Sequence, residues 1–332
     1  MNFENYLLEQ YRLHPSMKAQ DVHKLCYQAA HGAEHLLLDK CAAKKYFDEE
    51  FENTNLRTQP LYEDISEQFC RVNIAAWKAS GLDKNWLFNM FTASAEEKHD
   101  CGAFSTYINI AKRVLPCIDF DNYVFKDTAV HHSEEYRAAE KPAYRVVDKR
   151  YARLIPILQA INGDTRVIAL DGRAASGKTT ASECLSRIIG APQIHMDDFF
   201  LPPALRNEAR LKMPGGNVHY ERFAKEVLPY LESGAEFSYN IFDCSKMELS
   251  GKRKVEKSSI RIIEGAYSLH PEFGDYADVK VFFDVAADEQ MRRIIARNGE
   301  KMAEMFKNRW IPLEEAYYKA YNVKEKADVV VG

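Results

Sequence analysis

Four consecutive apolar residues, Val167-Ile168-Ala169-Leu170, run directly into a glycine-rich turn and the opening of a helix, VIALDGRAASGKTT over 167–180. The spacing of Gly172, Gly177, Lys178 and Thr179 fits G-x-x-x-x-G-K-[ST] without a mismatch, and the apolar run stands where that pattern requires a buried strand. Glycines at both ends allow a tight turn whose N–H groups face phosphate oxygens, and the positive end of the following helix points at the same place. The stretch Gly172, Arg173, Ala174, Ala175, Ser176, Gly177, Lys178, Thr179 and Thr180 is therefore expected to wrap a nucleotide triphosphate. Lys178 would reach the β and γ phosphates, and the Thr179 hydroxyl would hold Mg²⁺.

A phosphate loop of this kind sits in a parallel sheet, and the chain around it alternates accordingly. Strands are expected at 166–171, 192–196, 260–263, 279–283 and 329–331, with helices after Lys178 and over 220–231, 288–297 and 313–321. The first 150 residues differ. Their apolar spacing is mostly helical, as in the run Val22, Leu25, Cys26, Ala29, Ala33, Leu36 and Leu37 behind a capping Asp21. The expected fold class is thus α/β, a P-loop NTPase-type parallel sheet with helices on both faces, preceded by a mainly α-helical N-terminal domain. The chain has 332 residues, long enough for two cores, and the expected division is 1–150 and 151–332.

Composition narrows the class of protein. With 46% hydrophobic and 28% charged residues and no long apolar run, the chain reads as an ordinary globular protein, with no membrane partner and no visible secretory leader, hence cytoplasmic. A net charge of -4 supplies no basic field for nucleic acid. Seven scattered cysteines with no C-x-x-C pair speak against a disulfide framework or zinc site and are expected to be reduced and mostly buried. Oligomeric state is not readable from these features.

In the first half, His31 and His35 stand four apart on one expected helix, but Glu34 lies three after the first histidine rather than next to it, so ordinary histidines are preferred to a metal pair. Trp77, Trp86, Leu87, Phe88 and Phe91 around Gly81 read as a core packed across a helical hairpin. His131, His132, Tyr136, Arg137, Tyr144 and Arg145 gather polar rings and guanidinium groups near Pro142. They are expected either to form a solvated connector leading to a helix over 151–161 or to help complete an acceptor site.

The chemistry is expected where other strand ends face the phosphate loop. Asp197 and Asp198 close the second strand, taken to lie beside the first, where a carboxylate can accept a hydroxyl proton as the oxygen attacks a γ-phosphate. Glu264 closes another strand and can orient Mg²⁺ directly or through its water. Beyond Asp284, a basic segment with Arg292, Arg293, Arg297, Lys301, Lys307 and Arg309 is placed to close over the triphosphate.

About half of the chain resembles the group of P-loop small-molecule kinases that includes uridine kinases, phosphoribulokinases and pantothenate kinases. MDDFFL matches the family strand ending D-x-F-[YFL], and the resemblance implies that Asp197 is the catalytic base, with Lys178 the second catalytic residue. FSYNIFDCSK is similar to Y-D-F-x-x-H-S-R, with Tyr239 and Ser245 identical; IIEGAYSLH looks like the family's Glu-Gly strand, and RRIIARN like its arginine-bearing lid. The implied cofactors are ATP and Mg²⁺, with Arg293 and Arg297 on the nucleotide and Thr179 and Glu264 on the metal. Asp198, Phe200, His219, Tyr239 and Cys244 are the implied substrate residues, around a small-molecule acceptor with a hydroxyl group. Two departures bear on that acceptor: Cys244 matches a histidine that helps to read a pyrimidine, and His219 falls where a ribose-binding Asp is expected. A thiol is a weak donor and acceptor, so it replaces imidazole poorly. Alternatives are a kinase of a non-nucleoside alcohol (a sugar, pantothenate-like or glycerate-like) and a nucleotide-dependent regulator or binding module.

Overall fold

The computed structural model describes residues 3–33, 39–56, 59–97 and 103–332, which divide into two compact units, Met1–Arg153 and Leu154–Gly332. Among the described residues no helix is long and apolar enough to cross a membrane. Cys26, Cys70 and Cys184 are buried free thiols as expected, whereas Cys41, Cys117 and Cys244 are exposed.

In the first unit, helices α1 (Phe3–Leu13), α2 (Ala19–His31), α3 (Lys40–Asn53), α4 (Ile74–Ala79), α5 (Lys84–Glu96), α6 (Phe104–Val114) and α7 (Glu134–Glu140) dominate. Helix α2 buries Val22, Leu25, Cys26 and Ala29 as the periodicity predicts, but it starts before Asp21. Asp21 is therefore not the residue that precedes the helix. It lies inside the first turn, accepts the Lys18 amide at 3.0 Å and holds His132 Nδ1 at 2.9 Å, as a carboxylate near a helix N-terminus can. His35, Leu36 and Leu37 lie outside the described residues. The helical hairpin appears as α4 and α5 around Gly81, with Trp77 and Leu87 fully buried. A feature absent from the helical expectation is a three-stranded antiparallel sheet, β1 (Tyr62–Asp64), β2 (Phe69–Asn73) and β3 (Tyr144–Asp148), in the order β1-β2-β3. Residues 69–72 are all buried, so β2 shows none of the in-out alternation by which a strand is recognised.

The helix expected over 151–161 is interrupted: one short helix ends at Ala152 and another starts at Ile155, with the division between units falling in the gap. The second unit holds a five-stranded parallel sheet of β4 (Val167–Gly172), β5 (Gln193–His195), β8 (Arg261–Glu264), β9 (Val279–Phe283) and β10 (Val329–Val331), in the order β10-β9-β4-β8-β5. The second strand is thus not beside the first, because β8 lies between them and puts Glu264 between the phosphate loop and the Asp197 strand end. Helices α8 (Lys178–Ile189), α9 (Tyr220–Glu226), α10 (Ala287–Asn298) and α11 (Ile311–Tyr321) accompany the sheet. The expected helix over 220–231 breaks at Val227, one residue before a second short helix with Pro229 near its start. An antiparallel hairpin, β6 (Phe237–Asp243) and β7 (Glu248–Val255), stands apart from the main sheet. Its residues Phe237, Tyr239 and Val255 join Ile194, Phe199, Phe223, Ile263 and Tyr317 in one apolar core. Each such side chain contributes about 1.5–3 kcal/mol on burial.

Candidate functional site

The loop after β4 has the geometry its glycines suggest. Gly172 has φ +133°, and a Cβ there would stand 2.1 Å from the carbonyl oxygen of Phe283 on the neighbouring strand, so no larger residue fits without parting β4 from β9. Asp171, just before it and fully buried, accepts the amides of Gly172 (2.7 Å), Tyr267 (3.0 Å) and Leu269 (3.0 Å) and the hydroxyl of Tyr317 (2.9 Å). Burial raises its pKa, and the amide bonds and Lys178 counter that rise. Asp171 therefore pins the start of the phosphate loop to the segment that follows β8.

Inside the loop, Lys178 is buried, and its Nζ donates to the carbonyls of Gly172 at 2.6 Å and Arg173 at 2.8 Å. The ammonium is thus held within the ring of the loop. Ser176 Oγ is buried without a partner, a donor to spare where the loop would meet an anion. Two amides are already engaged, Arg173 N with Phe283 O at 3.1 Å and Ala174 N with Glu314 Oε2 at 3.0 Å. The Arg173 side chain turns away from the loop's mouth to pair with Asp284 and Glu315.

A cavity of about 510 Å³ is lined by Ala174, Ala175, Gly177, Lys178, Thr179 and Thr180 from this loop and the start of its helix, and by Asp197, Phe200, Arg206, Cys244 and Met247 from other segments. Glu264 makes two contacts: its Oε2 accepts from Thr179 Oγ1 at 3.2 Å, and its Oε1 lies 2.6 Å from His195 Nδ1. A threonine hydroxyl beside one carboxylate is a donor set that suits Mg²⁺, which prefers few protein ligands together with phosphate oxygens and water. Among the described residues no cluster of three or more His, Cys, Asp or Glu forms a dedicated metal cage.

The two adjacent aspartates face different ways. Asp197 opens onto the cavity, where the low-dielectric walls, and after them the charge of Glu264, raise its pKa. Asp198 is buried and does not line the cavity; its Oδ2 accepts from Tyr239 Oη and Arg253 Nε, both at 3.0 Å, and its carbonyl accepts from Arg222. Tyr239, fully buried, stands behind Asp198 and accepts the His195 amide at 3.2 Å. His219 likewise lies off the cavity, at the start of α9, with its amide on Phe199 O at 2.7 Å. Of the five expected substrate residues, only Phe200 and Cys244 line the cavity; although Cys244 is exposed, partial desolvation of its thiol and then the charge of Asp197 raise its pKa, so that it stays neutral.

The basic segment divides in the same way. Arg293, Arg297 and Arg309 line the cavity, and Arg293 reaches Ala175 O at 3.2 Å, whereas Arg292 pairs with Glu289 at 2.6 Å away from it. Sequence reasoning missed Arg206, Met247 and Glu314. Arg206 and Met247 come from irregular or turn segments without a motif. Glu314 is an ordinary-looking acid in the first turn of α11, whose burial raises its pKa to about 7 while Lys178 and the Ala174 amide oppose the rise.

A parallel sheet in this order, with a phosphate loop at the end of β4 and acidic residues just beyond β5 and at the end of β8, defines a P-loop fold. Solved structures are similar to part of the chain. A protein described as a possible uridine kinase from Bacillus stearothermophilus is 24% identical, covering 55% of this chain and 98% of that chain with a TM-score of 0.43. One provisionally described as a fructose transport system kinase, from a Silicibacter species, is 21% identical, covering 55% and 98% with a TM-score of 0.45. No family model matches the chain.

Proposed function

We propose that the second unit is an ATP-dependent phosphotransferase that moves the γ-phosphate to a hydroxyl of a small molecule. The observation that carries this reading is that Asp197 opens onto the same cavity as Lys178 and Thr179. A nucleotide held by the loop would present its γ-phosphate toward Asp197, and an alcohol between them would lose its proton to that carboxylate as its oxygen attacks phosphorus. Lys178 would exchange its two carbonyl partners for phosphate oxygens, and Arg293, Arg297 and Arg309 would offset the charge that develops on the transferred group. Thr179 and Glu264 are the residues that would hold Mg²⁺, which supplies charge neutralisation on the phosphates; His195 fixes the carboxylate of Glu264 from behind. Asp198 acts as a positioning residue, since it ties the Asp197 turn to Arg253 and Tyr239 rather than touching the cavity.

The acceptor side favours an alcohol other than a pyrimidine nucleoside. Cys244 brings a neutral thiol to the wall where imidazole would read a base, His219 stands off the cavity, and Arg206 adds a cation among Phe200, Leu211 and Met247. A sugar, pantothenate-like or glycerate-like alcohol suits such a wall. The deciding experiment is γ-phosphate transfer from labelled ATP across a library of hydroxylated metabolites with the full chain: a product that depends on Asp197 supports the proposal. Turnover seen only with a macromolecule would instead make the unit a nucleotide-dependent regulator.

A further inference from the structure

The first unit contains its own cavity, larger than the nucleotide cleft at about 1140 Å³, formed between α1, β1, β2 and the segment through α7 to β3. Arg71 and Tyr6 line it, and both are buried to 2% exposure. Arginine is almost never this buried without full pairing. Arg71 donates to Gln10 Oε1 at 3.2 Å, Gln28 Oε1 at 3.0 Å and Tyr144 Oη at 3.2 Å, but these are neutral acceptors, and the nearest carboxylate, Glu63, stands 3.8 Å away. Its Nε–H has no partner, and neither has the hydroxyl of Tyr6, whose ring lies 5.5 Å from the guanidinium. The Tyr144 ring covers the guanidinium from 4.2 Å. Two buried donors without partners and a guanidinium whose ion pair with Glu63 is loose, at 3.8 Å, border a roomy cavity, a combination suited to an oxyanion.

The walls determine what else the ligand carries. Glu50 and Asp64 also line the cavity but are neutralised by Arg145 at 2.6 Å and Lys149 at 2.8 Å. The remaining lining carboxylates, Glu9, Glu63 and Glu140, match the lining cations Arg71, Arg137 and Lys141 in number; Glu63 stands 3.8 Å from Arg71, and Glu140 meets the lining His14 Nδ1 at 2.8 Å and accepts from Ser16. A bare anion would be repelled by the carboxylates and a bare cation by the cations. We propose that this cavity binds a zwitterionic metabolite, with a carboxylate or phosphate on Arg71 and Tyr6 and an ammonium toward Glu63 and Glu140. Its binding does not depend on the phosphotransferase reading of the other unit.

The test is calorimetric titration of the full chain with lysine and phosphoethanolamine, which distinguish carboxylate from phosphate, against succinate, inorganic phosphate and cadaverine as controls whose charges are all of one sign. Saturable millimolar or tighter binding of one zwitterion, weakened ~10–100-fold in Kd by Tyr6→Phe, is the expected result. Because the Tyr6 hydroxyl is unpartnered in the free protein, Tyr6→Phe should not lower the unliganded Tm, whereas a purely structural hydroxyl would. Lys178→Ala, in the other unit, should leave the affinity unchanged. The inference is overturned if neither zwitterion binds, if the controls bind equally well, or if Tyr6→Phe binds like the wild type.

Discussion

Replacing the adjacent aspartates by asparagine should shift stability in opposite directions and lower catalysis to unequal extents. In the folded chain the ionised form of Asp197 is disfavoured, first by burial within the cleft walls and then by Glu264. A carboxyl group with a raised pKa favours folding while it is protonated, and that contribution is lost as pH rises through the folded pKa, so at neutral pH Asp197 strains the fold. Because the group opens to solvent in the cleft, screening limits the strain, and Asp197→Asn should gain a few tenths to about 1 kcal/mol, or ~1–4 °C in Tm. The same change removes the proton acceptor and should lower kcat by ~10²–10⁴ with little effect on the KM for ATP.

Asp198→Asn has the opposite signature. Its Oδ2 accepts two hydrogen bonds of 3.0 Å, one from the Arg253 guanidinium, and an amide oxygen retains their geometry but not their charge assistance. Weakening two such bonds costs roughly 1–3 kcal/mol in total. Tm should fall by several degrees, with a smaller loss of kcat. Thermal unfolding and steady-state phosphate transfer on both variants are the assay. A fall in Tm for Asp197→Asn, or a larger loss of kcat for Asp198→Asn, would refute the assignment of base and positioning residue.

Three further outcomes follow from the site. Lys178→Ala should abolish phosphate transfer while the far-ultraviolet circular dichroism stays that of the folded chain; near-normal kcat in a folded variant would remove the P-loop kinase reading. Glu314 accepts the Ala174 amide in the loop and has its pKa raised by burial from 4.5 to about 7. The protonated form is the one the fold prefers, so stability and nucleotide affinity should both decline as pH rises from about 4.5 through about 7, and Glu314→Gln should flatten both profiles when followed by Tm and by titration with ATP. Uridine and cytidine should show kcat/KM well below the best alcohol in the library, because a site lacking the groups that read a base loses the ~10⁴–10⁵ discrimination those groups confer; efficient uridine phosphorylation would overturn this.

The nucleotide side of the site was legible because phosphate binding depends on the backbone: Gly172 must be glycine where a Cβ would meet Phe283 at 2.1 Å, and such needs leave fixed spacing in sequence. The central strands β4 and β8 were legible because both of their faces are buried, leaving short apolar runs. The acceptor side depends on which way each side chain points, and there the resemblance and the structure part. Phe237 and Tyr239 are buried and Ser238 between them is exposed, so the alternation of a strand turns Tyr239 toward the core and not the cavity. That alternation was readable, but the charged stretch Glu248–Val255 concealed the partner strand that makes the hairpin. Arg206 and Met247 had no signal at all, since their role follows only from how irregular segments pack.

What the structure adds beyond the motifs is the line of hydrogen bonds that connects them. Arg253 on β7 holds Asp198, Asp198 accepts from Tyr239 on β6, and Tyr239 accepts the amide of His195 at the end of β5. The His195 ring holds Glu264 at the end of β8, and Glu264 meets Thr179 in the first turn of α8. Asp198, Tyr239 and Glu264 are buried, so breaking a bond to one of them leaves a polar group in a low dielectric rather than in water. The strand order makes the line continuous: were β5 next to β4, His195 would not meet Glu264 across a shared β-ladder. The hairpin that carries Cys244, the turn that carries Asp197 and the residues suited to Mg²⁺ are in this way held in one register.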